Sequence, residues 1–208
     1  MHRRKYAVIG GDMRNIYLAE LLKKDYQYVE IYGFDKSGKP WASKNSPLDI
    51  ILGEAQVIVG GIPLTTSDGY LSTPFSEKKT HIDEVIEKAP RNSLLIAGKI
   101  PEGVESRFAQ KGVKCIDILE REELAVLNAV PTAEGTVCIL IEELPITLMD
   151  SRILIVGYGR IGKILAKMLQ GLGSEVWVAA RKYSDIAWIE AQGLKPVPIS
   201  QLARYVSD

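Results

Sequence analysis

The sequence predicts an α/β protein built as two parallel-sheet units, and three observations carry that prediction. Short apolar runs alternate with stretches of helical spacing along the chain. Alternation of this kind builds a parallel sheet covered by helices on both faces, with right-handed crossovers. The β-branched run Arg152-Ile153-Leu154-Ile155-Val156 ends in Gly157-Tyr158-Gly159-Arg160-Ile161-Gly162 and passes directly into Lys163–Leu169, which has helical spacing. Between that run and everything before it, Pro145 breaks the chain's periodicity.

Taken in order, Tyr6–Ile9 reads as the first strand, closed by Gly10-Gly11-Asp12 and followed by a helix over Met13–Lys24. Val29–Phe34 is the second strand, ending at Asp35, and Lys36–Pro47, rich in Ser, Gly, Lys and Pro, is a loop. Val57–Gly61 and Leu94–Gly98 are the third and fourth strands. Between them, a loop carrying Thr65-Thr66-Ser67-Asp68-Gly69 leads to a helix over Lys78–Lys88. A helix over Glu102–Lys111 and a strand at Val113–Ile116 complete this set. Asp117–Asn128 is charged and helix-prone, and Pro131-Thr132 restarts the chain. Thr132 is placed to cap a helix over Ala133–Leu144, with Glu134 in its first turn. The expected division is a first unit of residues 1–144 that includes a hinge helix at 133–144, a linker at 145–151, and a second unit of residues 152–208.

In the second unit a helix runs to Leu172, Glu175–Ala180 is a strand and Asp185–Gln192 a helix. Lys195–Val197 is extended, and Ser200–Val206 is helical. A complete dinucleotide fold has six parallel strands, so two long strands and a fragment leave further strands expected past Asp208. An open edge of this kind predicts association with another chain, including a second copy.

Composition narrows the function. Lys+Arg 26 balance Asp+Glu 26, with a pI near 6.8, which gives no reason to expect nucleic acid or an anionic membrane as partner. No apolar run approaches the roughly 18 residues of a membrane span. The basic start Met1–Lys5 is followed only by Tyr6–Ile9 before Gly10, too short for a secretory signal, so a cytosolic protein is expected. Cys115 and Cys138 lie in apolar surroundings and are expected to be buried, reduced thiols. With only His2 and His81 and no Cys or His cluster, no metal site is expected.

The Gly-rich turn carries the chemistry. Between a strand and a helix, Gly157 permits the tight turn, Gly159 lets the backbone approach a pyrophosphate, and Gly162 lets helix and strand pack closely. Tyr158, Arg160 and Ile161 complete the turn, whose helix N-terminus directs N–H groups at phosphate. An NAD-specific site carries Asp or Glu at the end of the following strand to hold the ribose 2′-hydroxyl. Here that strand ends Ala179-Ala180-Arg181-Lys182-Tyr183-Ser184, with a methyl group at Ala180 where an acid would stand. Arg181 offers a fork of charge-assisted hydrogen bonds to a 2′-phosphate, with Lys182 and Ser184 beside it. The expected cofactor is therefore NADP(H) in preference to NAD(H). Gly10-Gly11-Asp12 lacks the third glycine and reads as a sharp turn, not a second nucleotide site.

Several runs occur together in one order: Ala7-Val8-Ile9-Gly10-Gly11-Asp12 with Arg14, Thr65-Thr66 through Gly69, Ser72-Thr73 and Phe75-Ser76, Glu120–Ala125 with Asn128, and Pro131-Thr132-Ala133-Glu134-Gly135-Thr136. With the Gly-rich turn and Ala180-Arg181, they resemble the A-subunit family of dipicolinate synthase across residues 5–208. The resemblance implies a flavodoxin-like N-terminal domain and a C-terminal Rossmann NAD(P) domain, acting with a flavoprotein-like B subunit. It implies oxidation of a dihydrodipicolinate-type intermediate of the lysine pathway to pyridine-2,6-dicarboxylate in the mother-cell cytoplasm during sporulation.

A substrate with two carboxylates calls for cations and hydroxyl donors at the C-terminal ends of the first-unit strands. Arg14 is the candidate for one carboxylate, and Thr65, Thr66, Ser72 and Thr73 for the other. Asn128 and Thr132, flanking the hinge helix, are candidates to face the nicotinamide. No base stands out: Glu134 or Asp12 would serve only where the environment raises their basicity, and the alternatives are water or a residue in the part expected past Asp208. Two other readings are a related dehydrogenase acting on another small acid, and a non-catalytic nucleotide-binding subunit whose partner does the chemistry.

Overall fold

The computed structural model describes residues 4–25, 27–42 and 46–205. Met1–Arg3 of the basic start, Ser43–Asn45 of the expected loop and Val206 of the expected last helix lie outside the described residues. Two compact units divide the chain, Met1–Arg121 and Glu122–Asp208.

The first unit runs β1 (Lys5–Ile9), α1 (Met13–Lys24), β2 (Tyr28–Tyr32), α2 (Leu48–Leu52), β3 (Val57–Val59), α3 (Ile82–Lys88), β4 (Leu94–Ala97), α4 (Glu102–Gln110) and β5 (Lys114–Asp117). Its five strands are all parallel in the order β2-β1-β3-β4-β5, the flavodoxin-like arrangement. Side chains alternate across the sheet as a strand demands. Ala7 and Ile9 of β1 enter one core cluster, with Ile58, Leu95 and Phe108, while Val8 enters another with Ile16 and Phe34. Burying each of these large side chains contributes about 1.5–3 kcal/mol. Because β1 pairs with β2 on one side and β3 on the other, the winding reverses between β1 and β3. Ligands bind at such a switch point, beyond the C-terminal strand ends.

Two local differences from the expected elements have physical causes. The short helix α2 follows the expected loop; its Leu48, Ile51 and Leu52 are buried at helical spacing, but five residues give too little periodicity to be read. α3 starts at Ile82, later than Lys78, because the preceding residues pair with the loop before them: Leu71 N–H donates to Thr80 O at 2.8 Å and Tyr70 bridges His81.

The second unit runs α5 (Glu122–Glu143), β6 (Arg152–Val156), α6 (Arg160–Gly171), β7 (Glu175–Ala180), α7 (Tyr183–Ala191) and β8 (Lys195–Pro198), followed by a 3-10 turn at Ile199–Arg204. Its three strands are parallel in the order β6-β7-β8. Here the division of the chain differs from the expected one. α5 is one helix of 22 residues, and Pro131 lies inside it instead of starting a new one. An interior proline costs about 3 kcal/mol, but the helix is held by packing: Ala133, Val137, Leu140 and Leu144 join the core formed by Ile155, Leu169 and Val178. Leu148, in the expected linker, is buried in the same core. The helix expected to close the first unit is thus built into the second. Thr132 is no cap; its hydroxyl donates to Asn128 O at 3.0 Å from the middle of α5. Among the described residues, α5 also has the length and apolarity of a membrane span, at mean hydropathy 1.7, although Glu134 and Pro131 interrupt its apolar run.

The thiols also differ from expectation. Cys115 is half-buried, and burial, then the Glu105 charge, pushes it up to about 11. Cys138 is exposed on α5, where Glu142 pushes its thiol upward.

Candidate functional site

The Gly-rich turn joins β6 to α6. Gly157 adopts φ +115°, a conformation open to glycine, and its N–H donates to Ala179 O at 2.8 Å. A Cβ on Gly162 would run into the carbonyl oxygen of Gly157, so only glycine allows helix and turn to approach this closely. A Cβ on Gly159 would meet nothing within 4 Å. Gly159 is also the N-cap of α6 and supplies no side chain to its first N–H groups. Those donors and the space above Gly159 fit a pyrophosphate.

A groove of about 440 Å³ opens from this turn, lined by Gly157, Gly159, Lys163, Arg181, Lys182 and Asp185 among others. The two expected cations at the end of β7 thus reach the same space as the Gly-rich turn. Arg181 and Lys182 form no ion pair among the described residues. Ala180 is buried and lines the groove with its methyl group, leaving no acid at the strand end. The other expected residues divide. Tyr158 faces the groove but is buried, its phenol donating to Gln192 Oε1 at 2.9 Å. Burial, then the Asp185 charge, raises that phenol above its ordinary value. Arg160 turns to Glu122 of α5 at 3.3 Å. Ile161 and Ser184 are exposed and do not line the groove.

In the first unit, the loop between β3 and α3 closes over the strand ends. Gly11 N–H donates to Ser72 O at 2.7 Å, and Lys36 N–H donates to Phe75 O at 2.8 Å. A Cβ on Gly10 would strike Ser72 O, and one on Gly33 would press on Thr73 Cγ2. The loop backbone therefore occupies the space over Gly10-Gly11 where a phosphate would sit, in keeping with a sharp turn. Unlike α6, α1 is capped: Asp12 accepts from Arg14 N–H at 2.9 Å. Asn15 is buried and donates through Nδ2 to Gly60 O at 2.9 Å, tying α1 to the end of β3.

The same loop borders a second groove of about 400 Å³, lined by Thr66, Ser72, Thr73, Lys79 and the acids Asp68 and Glu77 among others; Asp68 accepts from the Thr66 hydroxyl at 2.6 Å and Glu77 pairs with Lys36. Thr66, Ser72 and Thr73 line this groove together. Thr65 does not; it is buried and bridges Leu71. Arg14 does not line this groove, and its guanidinium forms a fork on Asp12, with Nη2 to Oδ2 at 2.7 Å and Nε to Oδ1 at 3.0 Å. Those hydrogen bonds hold the Asp12 carboxyl below the usual carboxylate range. The environment a base would need is the reverse, which removes Asp12 as a candidate. Glu134, Asn128 and Thr132 are exposed along α5 in the second unit.

A family model of the N-terminal domain of the dipicolinate synthase A-subunit matches residues 5–119. The A-subunit of dipicolinate synthase from Bacillus subtilis (strain 168) is 30% identical over 207 residues, spanning 98% of this chain and 70% of that relative. The chain belongs to the A-subunit family of dipicolinate synthase. The A-subunit structure from Bacillus halodurans superposes with a TM-score of 0.82 at 26% identity, covering 98% of this chain and 70% of that one. That from Bacillus subtilis gives 0.80 at 29%, covering 100% and 71%. The NAD-binding domain of D-isomer specific 2-hydroxyacid dehydrogenases matches residues 141–206. The second unit is thus a nicotinamide-dinucleotide domain of dehydrogenase type.

Within this member of the dipicolinate synthase family, Lys163 and Asp185 are groove residues that sequence reasoning missed. Lys163 immediately follows the last glycine, and Asp185 follows the basic turn, so position alone marked both. Asn15 and Lys79 carried no comparable signal, because the partner of Asn15, Gly60 O, lies 45 residues away and Lys79 joins its groove only when the loop before α3 folds.

Proposed function

We propose that the chain provides the NADP(H)-dependent dehydrogenase component that oxidises a dihydrodipicolinate-type ring to pyridine-2,6-dicarboxylate, together with a B subunit. The setting is the mother-cell cytoplasm of a sporulating bacterium, and the assembly includes a second copy of the chain. Family membership supports the reaction. The observation that carries the cofactor preference is the pair Arg181 and Lys182 in the groove of the Gly-rich turn, without ion pairs among the described residues. When bound, NADP⁺ accepts the hydride, and one ring proton leaves with it. The chain's own part is to seat pyrophosphate on the α6 N-terminus and a 2′-phosphate on Arg181, with Ser72, Thr73 and Lys79 presenting hydroxyls and a cation to carboxylate, and Thr66 ordering the loop through its hydrogen bond to Asp68.

Dipicolinate formation, followed by its absorbance with and without NADP⁺ and the B subunit, tests the reaction. Product only with all components present is expected. Nucleotide binding without turnover would instead identify a non-catalytic nucleotide-binding subunit, and turnover of a different small acid a related dehydrogenase. Arg181→Ala is expected to weaken NADP⁺ binding by about 10- to 100-fold, the equivalent of one or two charge-assisted hydrogen bonds, and to leave NAD⁺ binding nearly unchanged. Equal losses for both cofactors would move Arg181 off the 2′-phosphate.

Arg14 is proposed to meet a substrate carboxylate through the part of its guanidinium not engaged by Asp12. Arg14→Ala is expected to raise KM for the dicarboxylate about tenfold, with a smaller change in kcat. Unchanged kinetics would remove Arg14 from the site.

A further inference from the structure

The groove beside the Gly-rich turn holds charges of both signs. Lys163 stands on the first turn of α6, with its Nζ 5.3 Å from the centre of the Tyr158 ring. Arg181 and Lys182 follow β7. Asp185 lies in the first turn of α7, lines the same groove, and forms no ion pair among the described residues. Its charge acts on the Tyr158 phenol, which also faces the groove.

A carboxylate here has opposite effects on the two forms of the cofactor. It repels a 2′-phosphate held by Arg181 and Lys182, and it can accept a hydrogen bond from a free ribose hydroxyl. The strand end at Ala180 lacks the acid that usually does the second job, whereas Asp185 supplies one from the next helix. We propose that Asp185 is the residue that limits the groove's preference for the 2′-phosphorylated dinucleotide, leaving a site that takes both forms with a modest bias. This assignment rests on the cofactor reading above and adds to it the residue that opposes Arg181.

The probes are the adenosine halves alone, 2′,5′-ADP and 5′-AMP, titrated calorimetrically into the protein. The wild type is expected to prefer 2′,5′-ADP. Asp185→Asn keeps the shape of the side chain and removes its charge. It is expected to raise the 2′,5′-ADP over 5′-AMP preference about tenfold, as loss of one like charge several ångströms from a phosphate dianion predicts. Asp185→Glu should return the ratio toward the wild-type value. A ratio unchanged in Asp185→Asn, with the wild-type preference intact, overturns the role of Asp185 alone. A wild type that does not prefer 2′,5′-ADP overturns the cofactor reading and this assignment together. A role confined to the first turn of α7 would change the melting temperature and leave the ratio where it was.

Discussion

Gly159→Asp is expected to abolish dinucleotide binding while leaving the protein as stable as the wild type, or slightly more so. The two halves of that result come from one position. Gly159 has φ −81° and ψ −166°, extended backbone that any residue adopts, and a Cβ there would meet nothing within 4 Å. It is also the N-cap of α6, where it supplies no capping oxygen. Aspartate is among the best N-cap residues, and its charge suits a helix N-terminus, so the substitution should contribute about 0.5–1 kcal/mol. In a chain of this size that moves the melting temperature upward by roughly 1–4 °C. The same carboxylate occupies the seat of the pyrophosphate and repels it, so binding of NADP⁺ and NAD⁺ should fall by at least about 100-fold. Scanning calorimetry and cofactor titration on one preparation check both halves. Retained binding would show that phosphate does not sit over this helix end.

How much of this was legible in the sequence depended on whether the signal was local. The turn from Gly157 to Gly162 was readable because strand, glycine spacing and helix are contiguous; Gly157 needs its positive φ, Gly162 its close approach, and Gly159 leaves open space for a phosphate. Ala180 and Arg181 were readable as the end of the next strand. The parallel arrangement of β1 to β5 followed from alternation. What was not legible depended on folded contacts that residue types and spacing do not show. Pro131 read as a break because propensity disfavours it, but tertiary burial of Ala133 and Leu140 outweighs about 3 kcal/mol of local cost. Arg14 read as a clamp for a carboxylate, but the sequence does not show that its guanidinium turns back on Asp12 two residues earlier. Thr65 and Thr66, adjacent in sequence, were grouped as one candidate pair. The bridge to Leu71 buries the first and leaves the second in the groove, as alternation along an extended chain requires.

That loop is also where the largest stability effect in the first unit is expected. Gly10→Ala should destabilise the protein by roughly 3–5 kcal/mol and release the segment from Thr65 to Ser76. Gly10 has φ +62°, which costs an alanine about 1 kcal/mol or more. Its new methyl group would also strike the backbone oxygen of Ser72, with Thr73 Cγ2 and Leu71 Cγ at 3.1 and 3.3 Å behind it. A backbone atom cannot rotate aside, so the loop must lift, breaking the bond from Gly11 N–H to Ser72 O and opening the groove of Thr66, Ser72 and Thr73. Gly38→Ala separates the two costs. Gly38 has φ +73° but open space around a Cβ, so that variant should lose only the backbone term, about 1 kcal/mol. Urea denaturation of both variants, with limited proteolysis between β3 and α3, reads the difference. If Gly10→Ala loses no more than Gly38→Ala, the loop does not clamp the end of β1. A larger loss, with new cleavage confined to residues 65–76, would show that this unit places its hydroxyls by holding a loop against a glycine turn.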